Sequence, residues 1–226
     1  MALNLLGSKL SRLQTQLPSD LQINCEHLSK RIAKLSVKAT SVKTPTTTQT
    51  QEDPKNLIPF FQGKGKNLHG FSLDEILRFN DKEMEAHHNF IQWIFPTKQK
   101  SGSNASAPIL NEGLIKAMRA DPLVQKNLVL SFEKMLDYYG LKLEGSKVVK
   151  ASNFSSRKKY WTINGGHNLL RMTRIINSMA TLGQRELAKS YYDCIADIAT
   201  KKEVSSLGSS PGIWENCMQS HALHIM

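Results

Sequence analysis

The chain has 226 residues, 40% of them hydrophobic, enough to bury a sizeable core in one domain with an appendage. No apolar run approaches the roughly 18 to 20 residues that span a bilayer, which excludes a transmembrane helix and leaves only a peripheral membrane role. A formal charge of +11 and a pI near 9.6 favour anionic partners, whether nucleic acid, phosphorylated ligands or acidic membranes, without choosing among them.

Leu3, Leu6, Leu10, Leu13 and Leu17 follow the alternating three-and-four spacing of one amphipathic helix, which Pro18 ends. Leu21, Cys25, Leu28, Ile32 and Leu35 repeat the spacing, so residues 1–38 are expected to form a helical pair able to pack on the main domain or on a protein partner. The stretch before Asp20 lacks acids and carries Lys9 and Arg12, which is also how a mitochondrial presequence reads. Residues 39–55 (ATSVKTPTTTQTQEDPK) hold almost no bulky apolar groups and are expected to be a flexible linker.

A globular region is expected over 56–201. NLIPFF is apolar but short and interrupted by Pro59, so no helix is predicted there. Ser72 and Glu75 make a capping box for SLDEILRF, and the segment from about 80 to 95 is predicted as one helix ending at Pro96. A polar loop (97–108) and a short helix from Glu112 to Ala120 follow. The next helix starts near Pro122, buries Leu128, Phe132, Met135 and Tyr139, and is closed by Gly140. LKLEGSKVVK alternates around a Gly-Ser turn and predicts one small hairpin. Two further helices are predicted, one with a Leu169, Met172, Ile176, Met179 stripe and one after Gly183; the tail, 202–226, allows a last helix carrying Ile213, Trp214 and Met218. The fold class is therefore mainly α, a compact multi-helix domain with at most one small β-hairpin.

Cys25, Cys194 and Cys217 are odd in number and include no Cys-x-x-Cys pair, which argues against disulfides or structural zinc and for a reducing, intracellular compartment.

Three stretches stand in order: EAHHNFIQWIFP (Glu85 to Pro96), SFEKMLDYYG (Ser131 to Gly140) and HNLLRMTRI (His167 to Ile175). Together they resemble the N-terminal region of the opioid growth factor receptor family, over roughly residues 56–185. The resemblance implies a receptor-like binding protein for an enkephalin pentapeptide, associated with the nucleus and its periphery. It implies no assigned chemistry and no catalytic residues.

On helices, Glu85, His88 and Gln92 share one face, and His167, Arg171, Arg174 and Ser178 share another. Three readings follow if those faces meet. Arg171 or Arg174 forms a buried pair with Glu85. Alternatively His88, Gln92, Trp93, His167, Asn168, Arg171 and Arg174 border a pocket for a peptide or other small anionic ligand, since guanidinium binds carboxylate or phosphate bidentately. The third reading is acid–base chemistry by Glu85, His88 and His167. Glu85-x-x-His88 is half of a helical di-iron motif, but no second copy exists, so neither metal nor cofactor is expected. Trp93 reads either as core or as an apolar wall of the pocket. RKKYW (157–161), KGK (64–66) and KQK (98–100) read either as solvated loops or as loose nucleic-acid patches.

Overall fold

The computed structural model describes Asp53 and residues 55–222. The helical pair expected over 1–38 lies outside the described residues, as does the expected linker apart from Asp53 and Lys55. The described residues form ten α-helices and one two-stranded sheet, as the mainly α reading anticipates.

The first helix, α1 (Leu57–Phe61), appears where none was predicted. Asp53 explains it, because its carboxylate accepts the Leu57 N–H at 2.7 Å and the Ile58 N–H at 2.8 Å. Pro59 then falls in the first turn, where its missing N–H removes no intrahelical bond. The reward for this short helix is the complete burial of Leu57, Phe60 and Phe61.

In α2 (Leu73–Leu77) the predicted capping box forms: Glu75 N–H donates to Ser72 at 3.2 Å, and Ser72 N–H to the Glu75 carboxylate at 2.6 Å. The single helix predicted over 80–95 is instead two, α3 (Asp81–Ala86) and α4 (Phe90–Ile94). The backbone leaves the helix at His87 (φ −94°, ψ 103°), where the imidazole stacks on Phe79 with ring centroids 5.1 Å apart. After α5 (Glu112–Ala120), Asp121 caps α6 (Pro122–Tyr139) by accepting the Leu123 and Val124 amides. Leu128, Phe132, Met135 and Tyr139 of α6 are fully buried, as their spacing predicts, and Gly140 ends the helix in the left-handed region.

The hairpin follows, with β1 (Leu141–Glu144) antiparallel to β2 (Lys147–Lys150) and Leu143 opposite Val148. A short helix, α7 (Phe154–Arg157), and two 3₁₀ turns (Lys158–Trp161 and Ile163–Gly166) lead into α8 (His167–Thr181). The Trp161 indole donates to the Tyr139 carbonyl at 3.1 Å and ties these turns to the end of α6.

Helix α8 packs against α9 (Arg185–Thr200) and α10 (Ser210–Ala222). The predicted tail helix is therefore part of the fold: Val204, Leu207 and Trp214 join the common core, and the Trp214 indole reaches the Leu169 carbonyl at 3.5 Å. Trp93, Trp161 and Trp214 are all fully buried. A large apolar side chain contributes about 1.5–3 kcal/mol on full burial, so residues far apart in sequence are bound into one unit.

Candidate functional site

The break between α3 and α4 has a tertiary cause. Arg171 of α8 donates to the Met84 carbonyl at 3.0 Å and to the His87 carbonyl at 3.5 Å. These carbonyls end α3, and the guanidinium caps them as a cation should at a helix C-terminus. Glu85 and His88 are therefore not on one continuous helix, although both still face α8.

Glu85 sits at the centre of a satisfied polar cluster. It accepts the Tyr138 hydroxyl and the Asn168 amide (2.9 Å), lies 3.4 Å from His167 Nε2, and is 3.9 Å from Arg171. Asn168 is fully buried; its amide also donates to the Tyr160 carbonyl at 2.8 Å, and its oxygen accepts from Arg171 at 3.0 Å. Burial, the largest influence, pushes the Glu85 pKa up. The Tyr138 and Asn168 hydrogen bonds and the charges of His167 and Arg171 together outweigh it, and the carboxyl is held below its ordinary range. Burial and the Glu85 hydrogen bond push Tyr138 the other way, upward.

Beside this cluster, α8, α4 and the loop after Pro96 enclose an open cleft of about 550 Å³. His88, Gln92, His167, Arg171 and Arg174 line it, so the structure brings together five of the seven residues expected to bind ligand. The other two stand elsewhere. Asn168 is enclosed in the cluster behind the cleft, and Trp93 packs edge-on against Phe60 at 5.3 Å, wholly buried. The apolar wall comes instead from Ile91 and Leu170, the latter 69% exposed. Leu170, Thr173, Arg174 and Asn177 all line the cleft at helical spacing, a stripe one step round from the predicted one. The loop residues Thr97, Gln99 and Ser101 complete it, and sequence alone carried no signal for them.

The two arginines differ sharply. Arg171 is 5% exposed and committed to protein groups, whereas Arg174 is half-buried and, among the described residues, donates only to the Phe95 carbonyl (3.3 Å) and the Thr97 hydroxyl (3.2 Å). Among the described residues no carboxylate pairs with Arg174, and none lines the cleft. Burial lowers the Arg174 pKa, the expected result for a cation losing water without gaining an anion. Gln92 is 5% exposed, and among the described residues its side-chain oxygen has no hydrogen-bond partner. Burial, then the Arg171 and His167 charges, lower the His88 pKa. The His88 ring meets His167 edge-on at 5.4 Å.

The basic stretches are largely occupied within the fold. Arg157 pairs with Asp81 at 2.5 Å, Lys158 donates to the Glu203 carbonyl at 3.0 Å, and Trp161 is buried. Lys66 pairs with Glu75 and Lys98 with Glu112. Among the described residues no three His, Cys, Asp or Glu side chains converge as a metal site, and no helix is long and apolar enough to cross a membrane.

The sequence profile described as the opioid growth factor receptor (OGFr) conserved region matches residues 49–191. The chain belongs to the opioid growth factor receptor family. The mouse opioid growth factor receptor is 36% identical over 121 residues, covering 50% of this chain and 19% of the relative. The human receptor is 35% identical over 134 residues (56% and 19%), and the mouse opioid growth factor receptor-like protein 1 is 30% identical over 134 residues (57% and 27%). The match thus spans well under a third of each of these relatives' length. No solved structure matches.

The fold gives the family signature a physical meaning. Its three stretches meet at Glu85: the first supplies the carboxylate, the second Tyr138, and the third His167, Asn168 and Arg171. A family region that was legible as text is, in space, one polar cluster flanked by a cleft.

Proposed function

We propose that this opioid growth factor receptor family protein is a binding module that takes an anionic ligand, foremost a peptide's terminal carboxylate, in the cleft between α4, α8 and the 97–103 loop. One observation carries the reading: Arg174 is a half-buried guanidinium on the cleft wall with no carboxylate partner among the described residues. An incoming carboxylate would supply the missing charge, with bidentate geometry open to it. Gln92 and His167 add polar contacts, and Ile91 and Leu170 offer apolar area. The matched relatives' name makes an opioid growth factor the first peptide to try, and the resemblance narrows that to an enkephalin pentapeptide.

The test is anisotropy with a fluorescein-labelled enkephalin pentapeptide as the free acid and as the C-terminal amide. The acid binds more tightly, and Arg174→Gln removes about tenfold of its affinity while leaving the amide unchanged. Equal binding of acid and amide would overturn the reading.

A second reading, acid–base catalysis, has one observation in its favour: the 3.4 Å contact between Glu85 and His167 beside the His88 ring. Against it, Glu85 is held ionised by fixed donors, the opposite of a general acid tuned towards neutral pH. Turnover lost in Glu85→Gln with peptide affinity retained would favour catalysis. For location we propose a reducing intracellular compartment, in keeping with the free thiols Cys194 and Cys217. Imaging of the tagged full chain tests it.

A further inference from the structure

Below the cleft, towards the C-terminus of α8, lies a second depression of about 390 Å³, and the two share Gln99 and Asn177 on their borders. They lie end to end along α8 as two halves of an interrupted groove, parted by the hydrogen bond between Asn177 and Gln99. Three cations line the second part, Lys98, Arg119 and Arg185, against a single acid, Glu112, which pairs with Lys98 at 2.7 Å and also feels the charge of Arg119, leaving an excess of positive charge. Arg119 is aimed by its own fold contacts: its Nε donates to the Thr181 carbonyl at 2.9 Å, and its stem crosses Gly183, where an added Cβ would meet Arg119 Cγ at 3.5 Å. Its other N–H groups have no protein partner among the described residues, and Arg185 makes no ion pair or side-chain hydrogen bond there.

We propose that the groove takes an acidic peptide in extended form, its terminal carboxylate on Arg174 and a side-chain carboxylate three residues upstream on Arg119 and Arg185. The spacing follows from the helix. From Arg174 to Thr181 the axis of α8 advances about 10 Å at roughly 1.5 Å per residue, which an extended chain at about 3.3 Å per residue covers in about three residues. At the waist, Asn177 donates to Gln99 at 3.3 Å on the exposed surface. Carboxamides offer both donors and acceptors, so a peptide main chain passing over them finds partners. Ile91 and Leu170 receive the last side chain. The recognised pattern is therefore an acid, two unrestricted residues and an apolar C-terminal residue with a free carboxylate.

This rests on the cleft binding a terminal carboxylate, and the experiment separates the two claims. The full chain is titrated with three fluorescein-labelled hexapeptides: one ending Glu-Ser-Ala-Leu as the acid, one with Gln in place of Glu, and the first as its C-terminal amide. The Glu peptide binds about tenfold more tightly than the Gln peptide, a charge-assisted contact's worth. The pair Arg119→Gln and Arg185→Gln erases that difference without changing the Gln peptide, whereas Arg174→Gln weakens both acids. Arg185→Gln alone removes no ion pair or side-chain hydrogen bond among the described residues and takes away part of the preference, which covers the case in which Arg119→Gln perturbs the fold. Glu and Gln peptides bound alike, with Arg174→Gln still weakening both, would sink the groove inference and leave the cleft standing. An amide bound as well as the acid would sink both. An oligothymidylate that displaces the Glu peptide and loses affinity in the same double variant would overturn the peptide in favour of nucleic acid.

Discussion

Arg171→Ala separates architecture from ligand recognition. The substitution deletes hydrogen bonds of 3.0 Å to the Met84 carbonyl and 3.0 Å to the Asn168 oxygen, a longer one to His87, and the 3.9 Å contact to Glu85. Removing one member of a buried ion pair costs about 3–5 kcal/mol, chiefly because the other charge is stranded. Here Glu85 keeps Tyr138, Asn168 and His167, so the loss falls at the lower bound, about 3 kcal/mol. For a domain of this size that lowers Tm by roughly 6–12 °C, at about 2–4 °C per kcal/mol. Arg174→Ala is the internal control. It forfeits only contacts of 3.3 and 3.2 Å and relieves a desolvated cation, so it costs about 1 kcal/mol or less. Urea unfolding followed by tryptophan fluorescence and by circular dichroism measures both, and coincident transitions justify the two-state comparison. If Arg171→Ala were as stable as Arg174→Ala, the assignment of Arg171 to the α3 cap and the Glu85 cluster would be wrong.

Three further outcomes are expected. Trp93→Ala destabilises by about 3–5 kcal/mol as a core truncation, whereas Leu170→Ala, at a site 69% exposed, changes stability by about 0.5 kcal/mol or less and weakens peptide binding; denaturation and anisotropy on the same samples distinguish wall from core. Glu85 has a folded pKa below its ordinary 4.5, so its stabilisation is present above that pH and drains away as pH falls through the folded value. Wild-type unfolding free energy should therefore drop below pH 4.5 more steeply than that of Glu85→Gln, measured by urea titrations at successive pH values. Gly140→Ala places a Cβ 2.7 Å from Arg157 Cβ and 2.8 Å from Phe154 Cα at φ +75°, and should cost about 2–4 kcal/mol by urea unfolding.

Local signals are legible where the physics is local. The Ser72–Glu75 box, the Pro122 start and Gly140 end of α6, and the hairpin around the Gly-Ser turn are each decided by residues within a few positions of one another. So are the buried stripes of α6 and α8. The Pro59 helix departs from the sequence expectation because its stabilising cap, Asp53, lies outside the apolar run and within the expected linker.

By itself, the sequence determined a helical domain with one hairpin, the family, and which polar residues stand on helix faces beside apolar stripes. Glu85, His88, His167 and Arg171 could be named because charged and amide groups on helix faces beside apolar stripes must meet partners. Which partner each met was decided only in three dimensions. Periodicity puts Arg171 and Arg174 on the same face of α8, three residues apart. One faces the broken end of α3 and is consumed by its carbonyls; the other faces a cleft and keeps its charge uncompensated. Helical spacing records direction from an axis, while burial and pairing depend on what chain lies opposite, and that chain is nearly ninety residues away.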